Sequence, residues 1–274
     1  MSPIKQVIVS GAFDDIKSRD LRFLEGASKL GALTVLLWAD RSIERVTAKP
    51  AKFPFAEREY FLKGIRYVSR VTPLTDHSAP DSLAEPAGVE PQIWADLQGS
   101  ANSNRENYCR EHRMDYHVFS PNDVAGFPEP APGPSAPGQK RIFATGCYDW
   151  LHSGHIRFAE DASAYGDLYI CVGSDANVRL LKGDGHPLLP QEERRYLVGS
   201  IRYVKQALIS SGSGWLDADP EIRRIRPDIY VVNEDGDRGG KREYCQKLGI
   251  EFLVLKRNPA PGLPQRSSTD LRGF

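Results

Sequence analysis

The chain repeats itself once, with a period of 135 to 136 residues, and this repeat constrains the fold more than any other feature. The stretch 11–14, GAFD, matches 146–149, GCYD, at an offset of 135. Further along, 65–68 and 201–204 both read IRYV, at an offset of 136. Later segments keep that register. A duplication of this length predicts two domains that share one architecture.

Each copy alternates short apolar strands with helical segments. In the first copy the pattern predicts strands at 6–10, 33–38, 93–95 and 116–119, and helices at 19–30, 56–65 and 104–111. In the second copy it predicts strands at 141–145, 168–172, 229–232 and 252–255, and helices at 156–165, 192–201 and 241–248. Strands that alternate with helices predict an α/β fold. We therefore expect two tandem Rossmann-like domains, each a parallel sheet with helices on both faces.

A proline-rich stretch separates the two copies. Between Phe127 and Gly138 the sequence reads FPEPAPGPSAPG, which can form neither a helix nor a strand ladder. We expect a semi-extended linker at 128–139, between a first domain at 1–127 and a second at 140–274.

Composition and charge limit the function classes. The 36 basic and 36 acidic residues cancel, so no overall charge favours nucleic acid or a membrane surface. No apolar run reaches the roughly 20 residues that a spanning helix needs, and the first residues lead directly into a strand. We therefore expect a cytoplasmic protein without nucleic-acid or membrane partners. Its four cysteines lack the paired spacing of a zinc site and are interpreted as buried apolar residues.

The stretch 141–158, RIFATGCYDWLHSGHIRF, combines an apolar strand, a tight turn and the start of a helix. In open α/β folds ligands bind at the carboxyl ends of the strands, and helix N-termini attract phosphates. His152 and His155 are three residues apart at this helix start, so their imidazoles can converge on one phosphate. Gly154 between them lets that phosphate approach the backbone.

Five ordered motifs, from GCYDWLHSGH (146–155) onward, resemble those of the cytidylyltransferase family within the HxGH nucleotidyltransferases. The others are VGSD (172–175), LKGDGHP (181–187), QEERRYLVGSIRYV (191–204) and LKRNPAPGLPQRSSTDLR (255–272). The tandem arrangement resembles that of the ethanolamine-phosphate cytidylyltransferases, with a degenerate N-terminal copy. The resemblance implies Mg²⁺-dependent transfer of CMP from CTP to a small phosphorylated alcohol or polyol, with release of pyrophosphate.

The resemblance also assigns roles to residues of the second copy. His152, His155 and Lys182 become the catalytic residues, with Lys182 in a flexible loop. The nucleotide- and phosphate-binding residues become Gly146, Tyr148, Gly154, Arg194, Arg257, Ser267, Ser268 and Thr269, with Arg266 as a substitute for Arg257. Asn233 and Asp235 are assigned to the base pocket. Asp149 and Asp175 are candidate Mg²⁺ ligands, with orientation of the histidine loop as the alternative.

The first copy lacks the phosphate-handling residues. In its register His152 becomes Lys17 and His155 becomes Asp20. We expect residues 1–127 to bind no triphosphate productively. We also expect them to pack against the second copy as an intrachain pseudo-dimer, with a homodimer of two chains as the alternative.

Two other functions remain open at this level. KGDGHP resembles the KGxGRP of the heptose-phosphate adenylyltransferases, which implies adenylyl transfer from ATP to a sugar phosphate. A non-catalytic nucleotide-binding regulator or scaffold is the third interpretation, and the first copy taken alone would favour it.

Overall fold

The computed structural model describes residues 4–74, 90–268 and 271. The chain divides into two compact units, Met1–Gly126 and Phe127–Phe274. The proline-rich segment therefore belongs to the second unit.

The first unit follows the predicted alternation of strands and helices. Its elements are β1 Gln6–Gly11, α1 Ser18–Ser28, β2 Ala32–Trp38, α2 Asp40–Thr47, α3 Phe55–Lys63, β3 Arg70–Leu74, β4 Ile93–Leu97, α4 Ser103–Glu111 and β5 Asp115–Phe119.

The second unit repeats the series, with a helix between its third and fourth strands where the equivalent residues of the first unit lie outside the described ranges. Its elements are β6 Arg141–Gly146, α5 Ser153–Ser163, β7 Asp167–Val172, α6 Asp175–Lys182, α7 Gln191–Gly199, β8 Val204–Ile209, α8 Asp219–Ile225, β9 Ile229–Asn233, α9 Lys241–Leu248 and β10 Glu251–Leu255. Short 3₁₀ turns lie at Gly214–Leu216 and Glu234–Gly236.

The two sheets have the same topology. Their strand orders are β3-β2-β1-β4-β5 and β8-β7-β6-β9-β10, and every strand pair in them is parallel. The predicted fold class is therefore confirmed. In each sheet the chain moves outward from the first strand and then crosses to its other side. This reversal leaves a crevice at the carboxyl ends of the strands, between β6 and β9 in the second unit.

The central strands are apolar because both faces of each sheet are covered. In β6, for example, Ile142, Phe143 and Ala144 are fully buried. The sequence pattern missed elements with weaker burial, namely α2, β3, α6, β8 and α8. Among these, α6 corrects the expected flexible loop, because Lys182 is its last residue. The helix exposes Leu180 and Leu181, so it lacks the regular apolar stripe that reveals a helix in sequence.

The proline-rich segment packs on the second unit. Gly133 N–H donates to the carbonyl oxygen of Lys205 at 2.8 Å, which adds a contact along β8. Pro130 packs closely against Gly199, because a Cβ added to Gly199 would lie 2.4 Å from the ring of Pro130. The segment is therefore fastened to β8 and α7. In the part of the chain that the structure describes, no helix is both long and apolar enough to cross a membrane.

Candidate active site

Two adjoining cavities open at the carboxyl ends of the strands of the second unit. They share Thr145, Gly146, Cys147 and Lys241 in their walls. The histidine cavity is further lined by Tyr148, His155, Phe158, Val231, Val232, Asn233, Asp235 and Gly236. The lysine cavity is further lined by Gly173, Asn177, Val178, Leu181, Lys182, Trp215 and Asp217. Both cavities lie at the sheet edge where the sequence predicts the site.

The turn after β6 is shaped by a close approach between Gly146 and Tyr148. Tyr148 has a φ of +58°, and its ring lies so near that a Cβ on Gly146 would be 2.6 Å from it. The same ring is buried and lies 5.0 Å from the ring of His155. Burial raises the pKa of the Tyr148 hydroxyl. Tyr148 therefore packs against the His155 ring and also lines the histidine cavity.

Backbone hydrogen bonds fix the tautomers of both histidines. His152 is the N-cap of α5, and its Nδ1 accepts from Gly154 N–H at 3.1 Å. His155 Nδ1 accepts in turn from His152 N–H at 3.4 Å. A neutral imidazole that accepts at Nδ1 carries its proton on Nε2. The two rings, whose centroids are 3.9 Å apart, thus hold a pair of Nε2–H donors at the helix start.

His155 is held in the neutral state. Burial is the main cause that lowers its pKa well below the usual 6.5, and the nearby His152 and Arg257 lower the pKa further. At neutral pH His155 is therefore a donor without a net charge, placed at the N-terminus of α5, where the helix dipole favours negative charge.

The C-terminal segment lies against the histidine turn. A Cβ on Gly154 would be 3.6 Å from the carbonyl oxygen of Arg266, and Ser268 Oγ donates to Trp150 O at 3.3 Å. Ser267 precedes it, and the Ser267 carbonyl accepts from Leu271 N–H at 3.3 Å. The structure therefore brings Ser267 and Ser268 to the α5 N-terminus. Thr269 lies outside the described residues.

Arg257 connects the C-terminal segment to the turn after β9. Its guanidinium pairs with Asp235 and donates to Arg266 O at 3.1 Å. A third cavity, lined by Gly154, Asn233, Arg257 and Arg266 among others, lies beside this bridge. Asn233 lines this cavity and the histidine cavity. Asp235 also lines the histidine cavity, and its carboxylate orients Arg257.

Lys182 stands at the opposite side of the crevice. It is exposed at the end of α6 and lines the lysine cavity. Its ammonium has no hydrogen bond or ion pair with any residue in the described ranges, so it is available to an anionic ligand.

Arg194 does not contact the crevice, and this corrects its predicted phosphate-binding role. Its side chain is fully buried. The guanidinium donates to the carbonyl oxygens of Leu189, Cys147 and Gly173 at 2.7 to 2.9 Å, and to Asp175 Oδ1 at 2.7 Å. These bonds tie the ends of β6 and β7 to the start of α7, so Arg194 holds the loops that build the site.

Arg58 makes the same contacts in the first unit. It donates to the carbonyl oxygens of Phe53, Ala12 and Trp38 and to Asp40 Oδ1. The first unit has no histidine pair at the equivalent helix start. Arg58 forms this network although its unit lacks the histidine pair. The network therefore holds the loops together and does not depend on a phosphate site.

Asp149 and Asp175 are likewise engaged by the protein. Asp149 accepts from Leu188 N–H at 2.9 Å and contacts His186 Nδ1 at 3.1 Å, and Asp175 pairs with Arg194. Neither residue is among those lining the two cavities. No group of three or more His, Cys, Asp or Glu in the described part of the chain is placed to hold a metal ion. Both carboxylates therefore order loops of the site.

Sequence reasoning missed Lys241 and Trp215, which line the crevice. The pattern predicted the helix that begins at Lys241 but assigned no role to this residue, and Trp215 lies in a segment without a strong periodic pattern. The repeat did contain one indication of Lys241, because both copies have a basic residue at this position: Arg105 in the first and Lys241 in the second, at an offset of 136.

Comparison with known proteins identifies the family of the second unit. Residues 143–272 match the family model described as cytidylyltransferase-like. A FAD synthase of Ferroglobus placidus (strain DSM 10642 / AEDII12DO) is 33% identical over 120 residues, which are 43% of this chain and 75% of that protein.

Two proteins named "Bifunctional protein HldE" are also similar. The one from a Nitratiruptor species is 38% identical over 119 residues, or 43% of this chain and 25% of that protein. The one from Aliarcobacter butzleri (strain RM4018) is 32% identical over 120 residues, or 43% and 24%. The chain therefore spans about a quarter of the length of these relatives.

A solved structure, described as a lipopolysaccharide core biosynthesis protein from Thermoplasma volcanium GSS1, is 24% identical. The superposition covers 44% of this chain and 99% of the chain of that structure, with a TM-score of 0.39.

Proposed function

Because this chain belongs to the cytidylyltransferase-like family of nucleotidyltransferases, we propose that its second unit joins a nucleotidyl group to a small phosphorylated acceptor. The observation that carries the proposal is the pair of Nε2–H donors of His152 and His155 at the N-terminus of α5. The positive end of the α5 helix dipole and two oriented imidazoles suit a phosphate that gains negative charge during the reaction.

The proposed reaction is an in-line displacement at the α-phosphorus of a nucleoside triphosphate. An oxygen of the acceptor phosphate forms a new bond to this phosphorus, the bond to the bridging oxygen of the β-phosphate breaks, and pyrophosphate leaves. His152 and His155 donate to the non-bridging oxygens of the α-phosphate. Because both rings are already oriented, no rearrangement is needed when charge develops on those oxygens.

The two substrates would occupy different parts of the crevice. The triphosphate lies against Gly154, Ser267 and Ser268, where Arg257 supplies a positive charge, and Thr269 belongs to the same proposed set. The base reaches toward Asn233 in the histidine cavity. The acceptor phosphate enters the lysine cavity and binds the ammonium of Lys182, which no described residue engages.

We favour ATP over CTP as the donor. FAD, the product named for the Ferroglobus relative, consists of AMP joined through a pyrophosphate link to a phosphorylated alcohol. That chemistry supports adenylyl transfer, as does the similarity of KGDGHP to KGxGRP. Our proposal is therefore adenylyl transfer to a sugar phosphate or a related phosphomonoester. Transfer of CMP from CTP to a phosphoalcohol, the first expectation from the sequence, becomes the second candidate.

Pyrophosphate release tests both candidates. ATP, CTP, GTP and UTP are each incubated with a panel of sugar phosphates, phosphoalcohols and FMN, and products are identified by mass spectrometry. We expect turnover with ATP and one class of acceptor. Turnover with CTP alone would replace the favoured donor, and inactivity with every pair would contradict a transferase and favour a non-catalytic role.

We propose that the first unit contributes no catalytic centre. Its N-cap at the equivalent helix is Lys17, whose ammonium is 2.7 Å from the carboxylate of Asp15. Asp20, in the place of His155, accepts from the backbone N–H of Lys17 at 2.8 Å. A carboxylate at this helix start repels a phosphate. Equilibrium dialysis with the full chain should therefore give one triphosphate per chain; two equal sites would contradict this proposal.

A further inference from the structure

Lys241 stands where the two cavities meet. It is the first residue of α9 and is among the four residues that line both the histidine cavity and the lysine cavity. Its Nζ donates to Gly236 O at 3.2 Å and lies 5.6 Å from the centre of the Trp215 ring. Within the described ranges, no carboxylate lies within 4 Å of this ammonium. The side chain therefore presents a positive charge to the space between the proposed substrates.

In the first unit the equivalent cation is paired with a buried carboxylate. Arg105 occupies this position, and its Nη1 is 2.6 Å from Asp96 Oδ1, with both side chains almost completely buried. Tyr116 OH also donates to Asp96, at 2.8 Å. The second unit has Val232 at the position of Asp96. A fixed carboxylate thus neutralises the cation in the first unit, and an apolar side chain replaces that carboxylate in the second.

A cation at this place reduces the electrostatic repulsion between the two substrates of the proposed reaction. The acceptor phosphate and the α-phosphate are both anionic, and two unit charges about 4 Å apart repel by about 4 kcal/mol at an effective dielectric constant near 20. Burial lowers the pKa of Lys241, while the carboxylates of Asp217, Asp237 and Asp235 partly oppose that change. Those carboxylates face the ammonium without pairing with it, so an incoming phosphate can bind it.

We propose that Lys241 is a further catalytic residue, whose ammonium binds the α-phosphate at the junction of the two cavities and offsets its repulsion with the acceptor phosphate. This inference rests on the proposed function. It gives Lys241 and Lys182 separate tasks, because Lys182 lines only the lysine cavity.

Three variants of the full chain test the inference. Lys241→Met removes the charge, Lys241→Arg keeps it, and Lys247→Met removes an exposed charge from the last turn of the same helix. The probes are the α,β-methylene analogues of ATP and CTP, whose binding is measured by calorimetry. We expect Lys241→Met to weaken binding about tenfold or more, as expected for a lost charge-assisted hydrogen bond. Lys241→Arg should retain binding within about threefold, and Lys247→Met should match the wild type.

The rate gives a second measurement. With the donor and acceptor that the wild type uses, Lys241→Met should lower kcat on the order of 100-fold, since charge on the α-phosphate grows in the transition state. Circular dichroism checks that the variant is folded; if it is not, Lys241→Gln takes its place.

The outcomes separate this inference from the proposed function. Equal probe binding and equal kcat in Lys241→Met and Lys247→Met would overturn the role of Lys241, even if the wild type transfers nucleotides. A wild type that binds a probe but turns over no acceptor would contradict the proposed function, while the binding comparison still decides Lys241. A wild type that binds neither probe would contradict both.

Discussion

The backbone N–H of Gly154 donates to His152 Nδ1 across 3.1 Å, and a Cβ on Gly154 would lie only 3.0 Å from the same imidazole. The glycine thus fixes the tautomer of His152 and leaves room for its ring. In the first unit Arg19 stands at the equivalent position, where the neighbouring N-cap is a lysine rather than an imidazole.

Gly154→Ala should therefore displace the His152 ring and reduce kcat about tenfold or more, since misplacement of a catalytic group by about 1 Å can cost as much as 100-fold. Unfolding by heat should change little. The matched control is Gly99→Ala, because a Cβ there meets nothing within 4 Å. Steady-state pyrophosphate release measures both. Equal rates in the two variants would show that the ring position does not matter.

His152→Ala removes one of the two oriented donors. We expect kcat to fall on the order of 100-fold, by analogy with the loss of one oxyanion-hole donor, while binding of the triphosphate changes less. His117→Ala, at an exposed histidine of the first unit, serves as the control. If both variants lose the same small fraction of activity, His152 is not a transition-state donor.

The lowered pKa of His155 predicts a dependence of stability on pH. Below about pH 6.5 the unfolded chain takes up a proton on this histidine that the folded chain does not. The free energy of unfolding should therefore decrease as the pH falls from 7 toward 5. His155→Gln should flatten this decrease, because glutamine does not titrate. Urea unfolding at several pH values measures the difference, and parallel profiles for the two proteins would contradict the prediction.

Arg194→Lys should destabilise the second unit by about 3 kcal/mol, because a lysine cannot satisfy the four acceptors around this buried guanidinium. Arg58→Lys should destabilise the first unit in the same way. Urea unfolding followed by hydrogen exchange assigns each loss to its unit. Arg223→Lys, on an exposed side chain, is the control. A stable Arg194→Lys with a raised KM for triphosphate would restore the phosphate-binding role.

A requirement for Mg²⁺ follows from the family resemblance. Removal of divalent cations with EDTA should abolish transfer, and added Mg²⁺ should restore it, because magnesium binds chiefly to water and substrate phosphates. The variant Asp175→Asn should show the same Mg²⁺ dependence as the wild type, since Asp175 pairs with Arg194. Activity that persists in EDTA would contradict the requirement.

The sequence alone determined the architecture, and it predicted a site at the carboxyl ends of the strands of the second unit. The repeat and the alternation of apolar strands with helices predicted two parallel sheets, because a strand buried on both faces must be apolar throughout. The spacing of His152 and His155 at a helix start predicted that their imidazoles lie close together, because that geometry is local. Elements such as α6 and β8 escaped prediction, since their side chains are exposed or mixed and their positions depend on contacts with distant residues.

Only the tertiary structure decided what each polar residue does. Arg194, Asp149 and Asp175 lie within the matching motifs, yet their partners come from other loops of the second unit and engage them in holding those loops. Lys241 is remote in sequence from His155 but lines the same cavity. Sequence spacing cannot reveal such roles, because hydrogen-bond partners and cavity walls are set by which strand ends the fold brings together.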